Sequence, residues 1–152
     1  MILINTVVPK KMSFPETFPI VHDEYHADRI GKLPDGTLFF VSELFRPMRG
    51  DDPGAEYLAV FLFEQTGKFR EARIDDFGPR ATMEPEAAHK RLEFRMNELE
   101  GATLGDIVIS PFSITHDGTE FGFIPEKETG GIELQPGNSM AFFPPWDGYY
   151  DT

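Results

Sequence analysis

Residues 30–45 read IGKLPDGTLFFVSELF, and residues 57–63 read YLAVFLF. In the first stretch Asp35-Gly36 supplies the positive φ angles of a tight reverse turn, flanked by apolar runs from Ile30 to Leu33 and from Leu38 to Phe45. That arrangement predicts a β-hairpin. The second stretch is apolar throughout, which predicts a central strand covered on both faces. Thr66-Gly67 then turns the chain into Phe69–Asp75, where Ala72 and Ile74 alternate with Glu71, Arg73 and Asp75, marking a strand with one wet face. Between these strands Arg46–Glu56 holds Pro47, Gly50, Asp51, Asp52, Pro53 and Gly54 and predicts an irregular loop.

On the N-terminal side, Met1–Val8 reads as a short apolar strand. Pro9, Pro15 and Pro19 then favour extended chain from Pro9 to Ile20, anchored by Phe14 and Phe18. On the C-terminal side one helix is predicted. Pro85 suits its first turn, Glu84 and Glu86 suit the positive end of its dipole, and Gly101 stands just beyond its end. Ala88, Leu92, Met96 and Leu99 form one apolar stripe, which needs a sheet to cover.

Strands Ile107–Phe112 and Thr119–Ile124 are expected around the turn Asp117-Gly118. Gly130-Gly131 introduces Ile132–Leu134, Pro136-Gly137 has the order of a type II turn, and Ser139–Phe143 closes the sheet before Pro144-Pro145. No linker separates two cores. The expected fold is α+β: a single compact domain over 1–152 with a meandering antiparallel β-sheet and one main α-helix packed on a face.

Composition narrows function by exclusion. Among 152 residues, 40% are hydrophobic and fifteen are Phe, enough apolar surface to form a core and to exclude global disorder. The absence of Cys excludes disulfides, thiolate nucleophiles and sulfur-ligated metal sites, and fits a reducing cytoplasm. No stretch approaches the roughly 20 apolar residues that span a bilayer, and Met1–Val8 lacks the basic start of a signal peptide.

Fourteen basic against twenty-six acidic residues leave a formal charge of −12. Such a balance disfavours nucleic acid, whose binding depends on neutralising phosphates. The acid is also uneven. Beyond Arg95 ten carboxylates face a single basic residue, Lys127. A field of one sign steers a basic partner toward it and repels anionic lipid.

Chemistry-bearing constellations are few. His22 and His26 are four residues apart and would share a face of a helix, with Asp28 as a third metal ligand. The zinc-protease order requires Glu directly after the first His, where Asp23 stands instead. His116-Asp117 is adjacent to Gly118 and is explained by turn chemistry. No Ser lies in a G-x-S-x-G elbow, and neither phosphate-binding glycine pattern occurs, so no nucleotide cofactor is implied.

Arg95 falls on the edge of the helix's apolar stripe, where a guanidinium needs a counter-ion, either Glu98 or a sheet carboxylate, or else faces a cleft and recognises an anion. The final segment gathers Phe142, Phe143, Trp146, Tyr149 and Tyr150. Two arrangements fit it: Trp146 and one Tyr plug the end of the core, or Trp146, Tyr149 and Tyr150 form a binding patch rimmed by Asp147 and Asp151.

In size, acidity and lack of motifs the chain resembles the immunity proteins that bacteria pair with secreted toxins. The resemblance rests on composition over the whole chain and transfers no residues. It implies a non-enzymatic protein docking a basic protein partner, without nucleic acid or membrane. The alternative is a small metal-assisted hydrolase or ligand-binding domain using His22, His26 and neighbouring carboxylates. A homodimer through an exposed sheet edge is the further assembly expected of a meander.

Overall fold

The structure is a computed structural model describing residues 13–152. The strand expected over Met1–Val8 lies outside the described residues. Three β-sheets, one α-helix and a 3₁₀ turn over Arg80–Thr82 make up the described elements. The central sheet has strand order β5-β4-β3-β2-β6, formed by β2 (Ile30–Lys32), β3 (Leu38–Arg46), β4 (Ala55–Phe63), β5 (Phe69–Asp76) and β6 (Thr103–Leu104). The second sheet has order β11-β10-β9-β8, from β8 (Phe112–His116), β9 (Thr119–Glu126), β10 (Gly131–Gln135) and β11 (Ala141–Phe142). A short ribbon pairs β1 (Phe18–Ile20) with β7 (Ile107–Ile109). All pairings are antiparallel. With α1 (Pro85–Glu98) packed on the central sheet, the fold is α+β.

The hairpin around Asp35-Gly36 forms as its turn residues dictate. Gly36 has φ 94°, the Asp35 carboxylate accepts the Thr37 amide at 2.9 Å, and Leu38 pairs with Lys32. β4 is an inner strand between β5 and β3, and both its faces are buried. Tyr57, Ala59, Phe61 and Phe63 join one core with Phe40 and Leu44, whereas Leu58, Val60 and Leu62 join another with Phe39 and Val41. Alternation along a strand sends successive side chains to opposite layers, so the apolar run Tyr57–Phe63 must be covered twice.

The larger core lies between the two sheets and is built of aromatic rings. Phe61 meets Phe112 edge-on at 5.0 Å, Phe69 stacks on Phe112 at 4.0 Å, and Phe40 meets Phe123 at 4.9 Å. The smaller core holds α1 to the other face of the central sheet through Leu92, Met96 and Leu99. No residue of α1 itself is fully buried. Apolar contact is therefore thin under the helix, and ion pairs to β5 add to its attachment.

One element differs from the sequence expectation. Ile107–Phe112 is not one strand: β7 ends at Ile109 and β8 begins at Phe112, in a different sheet. Pro111 has no amide to donate to a ladder, and the Ser110 amide is taken by the Gly67 carbonyl at 2.9 Å, so the chain changes sheets at this corner. Of the segment Pro9–Ile20, expected to be extended, residues 9–12 lie outside the described residues, and the remainder ends in β1, with Pro19 opposite Val108 on an edge that tolerates it.

Candidate functional site

Two segments singled out separately in the sequence meet at one end of the molecule. The loop His22–Arg29 is organised by Asp23, whose Oδ1 accepts the amides of Tyr25 at 2.9 Å and Ala27 at 3.0 Å. Its own amide donates to the Ala27 carbonyl at 3.0 Å. A short carboxylate bonding its own backbone two and four residues on is the usual means of closing such a loop. The C-terminal tail packs against it. The Tyr150 hydroxyl donates to Asp23 Oδ2 and accepts the His26 amide at 3.1 Å. The Val21 amide donates to the Gly148 carbonyl at 3.0 Å. Gly148 has φ 94°, and a β-carbon there would stand 2.7 Å from Val21 Cγ2, so the close approach and the backbone conformation both select glycine.

Burial disfavours charge on Asp23, but hydrogen bonds from Tyr150, Tyr25 and Ala27 outweigh it and hold the carboxyl below its usual range. Burial and the neighbouring Asp23 carboxylate push the Tyr150 phenol up. The joint is thus a neutral phenol donating to an ionised carboxylate.

The three expected metal ligands do not converge. His22 places Nε2 3.1 Å from the backbone carbonyl of Asp28 rather than from its carboxylate, and its amide donates to Asp106 at 2.8 Å. The His26 ring lies 3.9 Å from that of Tyr25 and 5.9 Å from that of Tyr150. The Asp28 carboxylate lies 3.6 Å from Arg29. Among the described residues no group of three or more His, Asp or Glu is placed to hold a metal ion. The segment is an Asp-closed loop instead of a helix, so spacing of four does not align the two imidazoles. A polar cleft of about 260 Å³ beside the loop is lined by Tyr25, His26, Asp28, Arg29, Ser42 and Glu43.

Arg95 is placed on the opposite side of the central sheet from the tail. Its Nε and Nη2 donate to the two oxygens of Asp75 at 2.9 and 3.1 Å, and Nη1 donates to Glu98 at 3.0 Å. Arg91 adds a bond to Asp75 at 2.8 Å. Both candidate counter-ions are therefore engaged, and α1 is sewn to β5 by two guanidiniums on one carboxylate. Burial of Asp75 raises its pKa, but the two arginines prevail and hold it below the ordinary value.

Within the tail, Trp146 and Tyr150 pack against the core between the sheets, and Trp146 lies 6.4 Å from Phe14. Tyr149 is 69% exposed, and Asp147 and Asp151 are exposed beside it. The plugging arrangement thus holds for Trp146 and Tyr150, leaving Tyr149, Asp147 and Asp151 at the surface.

Asp151 links the tail to a larger surface. It exchanges two backbone hydrogen bonds with Ala141 on β11, at 2.8 and 2.9 Å. Because Phe121, Phe123, Ile132, Leu134 and Phe142 face the core, the alternate residues Glu120, Gly122, Ile124, Glu126, Gly131, Glu133, Gln135 and Ala141 face outward. On β8 the outward positions are Ser113 and Thr115, opposite Gly122 and Glu120. Among the described strand positions this face of the second sheet accordingly carries Glu120, Glu126 and Asp151 at the surface and Glu133 buried, with no Lys or Arg. Ser113 donates to Glu120 at 2.7 Å, and Thr129 and Gln135 donate to the two oxygens of Glu133 at 3.0 and 3.3 Å. Hydroxyls and an amide thus order Glu120 and Glu133, and among the described residues no cation pairs with either. The alternation Glu120, Phe121, Gly122, Phe123 is the sequence signal for this face.

Compared with protein-family models, with curated proteins and with solved structures, the chain finds no match. Among the described residues no helix is long and apolar enough to cross a membrane.

Proposed function

We propose that this chain is a small acidic binding protein, of the immunity or inhibitor kind, that docks a basic protein partner through the outer face of its second sheet. The observation that supports this reading is the grouping of Glu120, Glu126 and Asp151 at the surface of one sheet face, beside the buried Glu133, without a basic residue among these strand positions. An antiparallel sheet can leave one face in water, and polar residues alone satisfy that requirement. Solubility alone is equally served by mixed charge, whereas a face of one sign raises the encounter rate with a cation and sets its orientation. The exposed Tyr149, two residues before Asp151 in sequence, supplies an aromatic anchor.

Titration of the isotope-labelled protein with a cationic protein such as cytochrome c, followed by amide chemical shifts, tests this reading. Perturbations concentrated on Ser113–Gln135 and Asp147–Asp151, and reversed by salt, are expected. Shifts spread equally over α1 and the hairpin around Gly36 would refute the assignment of the face.

A further inference from the structure

The edges of the two sheets are not protected alike. β5 carries Arg70, Glu71, Arg73, Asp75 and Asp76, charges that discourage strand addition. β6 is two residues long, and β11 has Asp151 hydrogen-bonded alongside it. β8 is different. It reads Phe112, Ser113, Ile114, Thr115 and His116, with no Lys, Arg, Asp, Glu or Pro, and it ends the order β11-β10-β9-β8. Among the described residues the backbone of β8 forms ladder bonds with β9 alone. A five-residue edge with β-branched Ile114 and Thr115, whose outward N–H and C=O groups take no backbone partner among the described residues, is a template for a further strand.

The charge of the adjoining face selects the occupant. Pairing β8 with its counterpart in a second copy would join two outer faces whose charged residues, at the described strand positions, are all acidic, a like-charge juxtaposition. A strand with cationic side chains meets the opposite condition. Lying about 4.8 Å beyond β8, its outward residues stand beside Ser113 and Thr115, and a lysine stem reaches back toward Glu120. We propose that the outer edge of β8 is where the partner attaches, as an extended basic segment adding a fifth strand to the second sheet. The inference rests on the acidic-face reading and specifies how that face is engaged.

The test uses two dye-labelled peptides, one of alternating Lys and Val and one with Pro in place of each Val. Both have the same charge, but the second cannot pair along a strand. Fluorescence anisotropy at low salt is expected to give affinity about tenfold higher for the alternating peptide. Hydrogen exchange is expected to slow at those amides of 112–116 that point away from β9. Equal affinity for the two peptides, with exchange at β8 unchanged, would overturn strand addition while leaving the acidic face as the docking surface. Failure of both peptides to bind would overturn the acidic-face reading and this inference with it. A dimer of the protein itself that protects the same amides would assign the edge to a second copy and refute the basic occupant.

Discussion

The hydroxyl of Tyr150 donates to the carboxylate of Asp23, joining side chains 127 positions apart and fixing the C-terminal tail to the loop His22–Arg29. The same oxygen accepts the His26 amide, so one hydroxyl serves two partners. Tyr150→Phe keeps the ring against Phe142 and removes both bonds. A cost of about 1–3 kcal/mol is expected, read from urea melts followed by Trp146 fluorescence. The folded pKa of Tyr150 is raised above its ordinary value of 10.0, so its contribution is complete below about pH 10 and lost as pH rises through the folded value. The wild type should show an alkaline loosening of the tail that Tyr150→Phe lacks.

The attachment of α1 carries the opposite pH dependence. Asp75 accepts from Arg91 and Arg95, and its folded pKa lies below the ordinary 3.8. Its contribution is therefore complete above about pH 4 and lost as pH falls through the folded value. Asp75→Asn should cost about 3 kcal/mol at pH 7, because it leaves two guanidiniums facing a neutral amide. Its stability should also fall less steeply in acid than that of the wild type, as measured by denaturant melts across pH 2–6.

These two joints show how far the sequence reaches. The Asp35-Gly36 turn, the doubly buried strand around Phe61 and the helix beginning at Pro85 are local events, written in turn chemistry and periodicity, and they form where their residues place them. Asp75 was readable as a carboxylate on a sheet and Arg95 as a cation in need of one, but their meeting depends on how α1 crosses β5. The Tyr150–Asp23 contact is less accessible still, because no local pattern relates the two ends of a chain. His22 and His26 illustrate the converse: spacing of four carries meaning only on a helix, and Asp23 closes this segment as a loop. The acidic face was half visible. Its charge could be counted, but its placement on one side of the sheet required the register of β8 through β11.

The loop's geometry makes a statement about metals. Addition of Zn²⁺ or Ni²⁺ to the purified protein is expected to leave its melting temperature unchanged. Stoichiometric binding abolished by the double variant His22→Ala, His26→Ala would favour the metal-assisted alternative.

The aromatic core is the most sensitive part of the fold. Phe61 is fully buried and touches rings from both sheets, so Phe61→Ala should cost about 3–5 kcal/mol. Trp146→Ala, at a half-buried site against Phe14, should cost less, about 2 kcal/mol. Thermal melts by circular dichroism rank the two, and a Trp146→Ala variant with wild-type stability would remove the tail from the core.

Two triple variants of equal net charge separate the position of the acid from its amount. One carries Glu120→Lys, Glu126→Lys and Asp151→Lys on the outer sheet face; the other carries Glu16→Lys, Glu64→Lys and Glu86→Lys, all exposed and away from it. Affinity for a cationic protein such as cytochrome c, measured at several salt concentrations, should fall about tenfold further in the first variant than in the second. Equal losses in the two would mean that total charge alone governs binding, and would contradict a docking face on the second sheet.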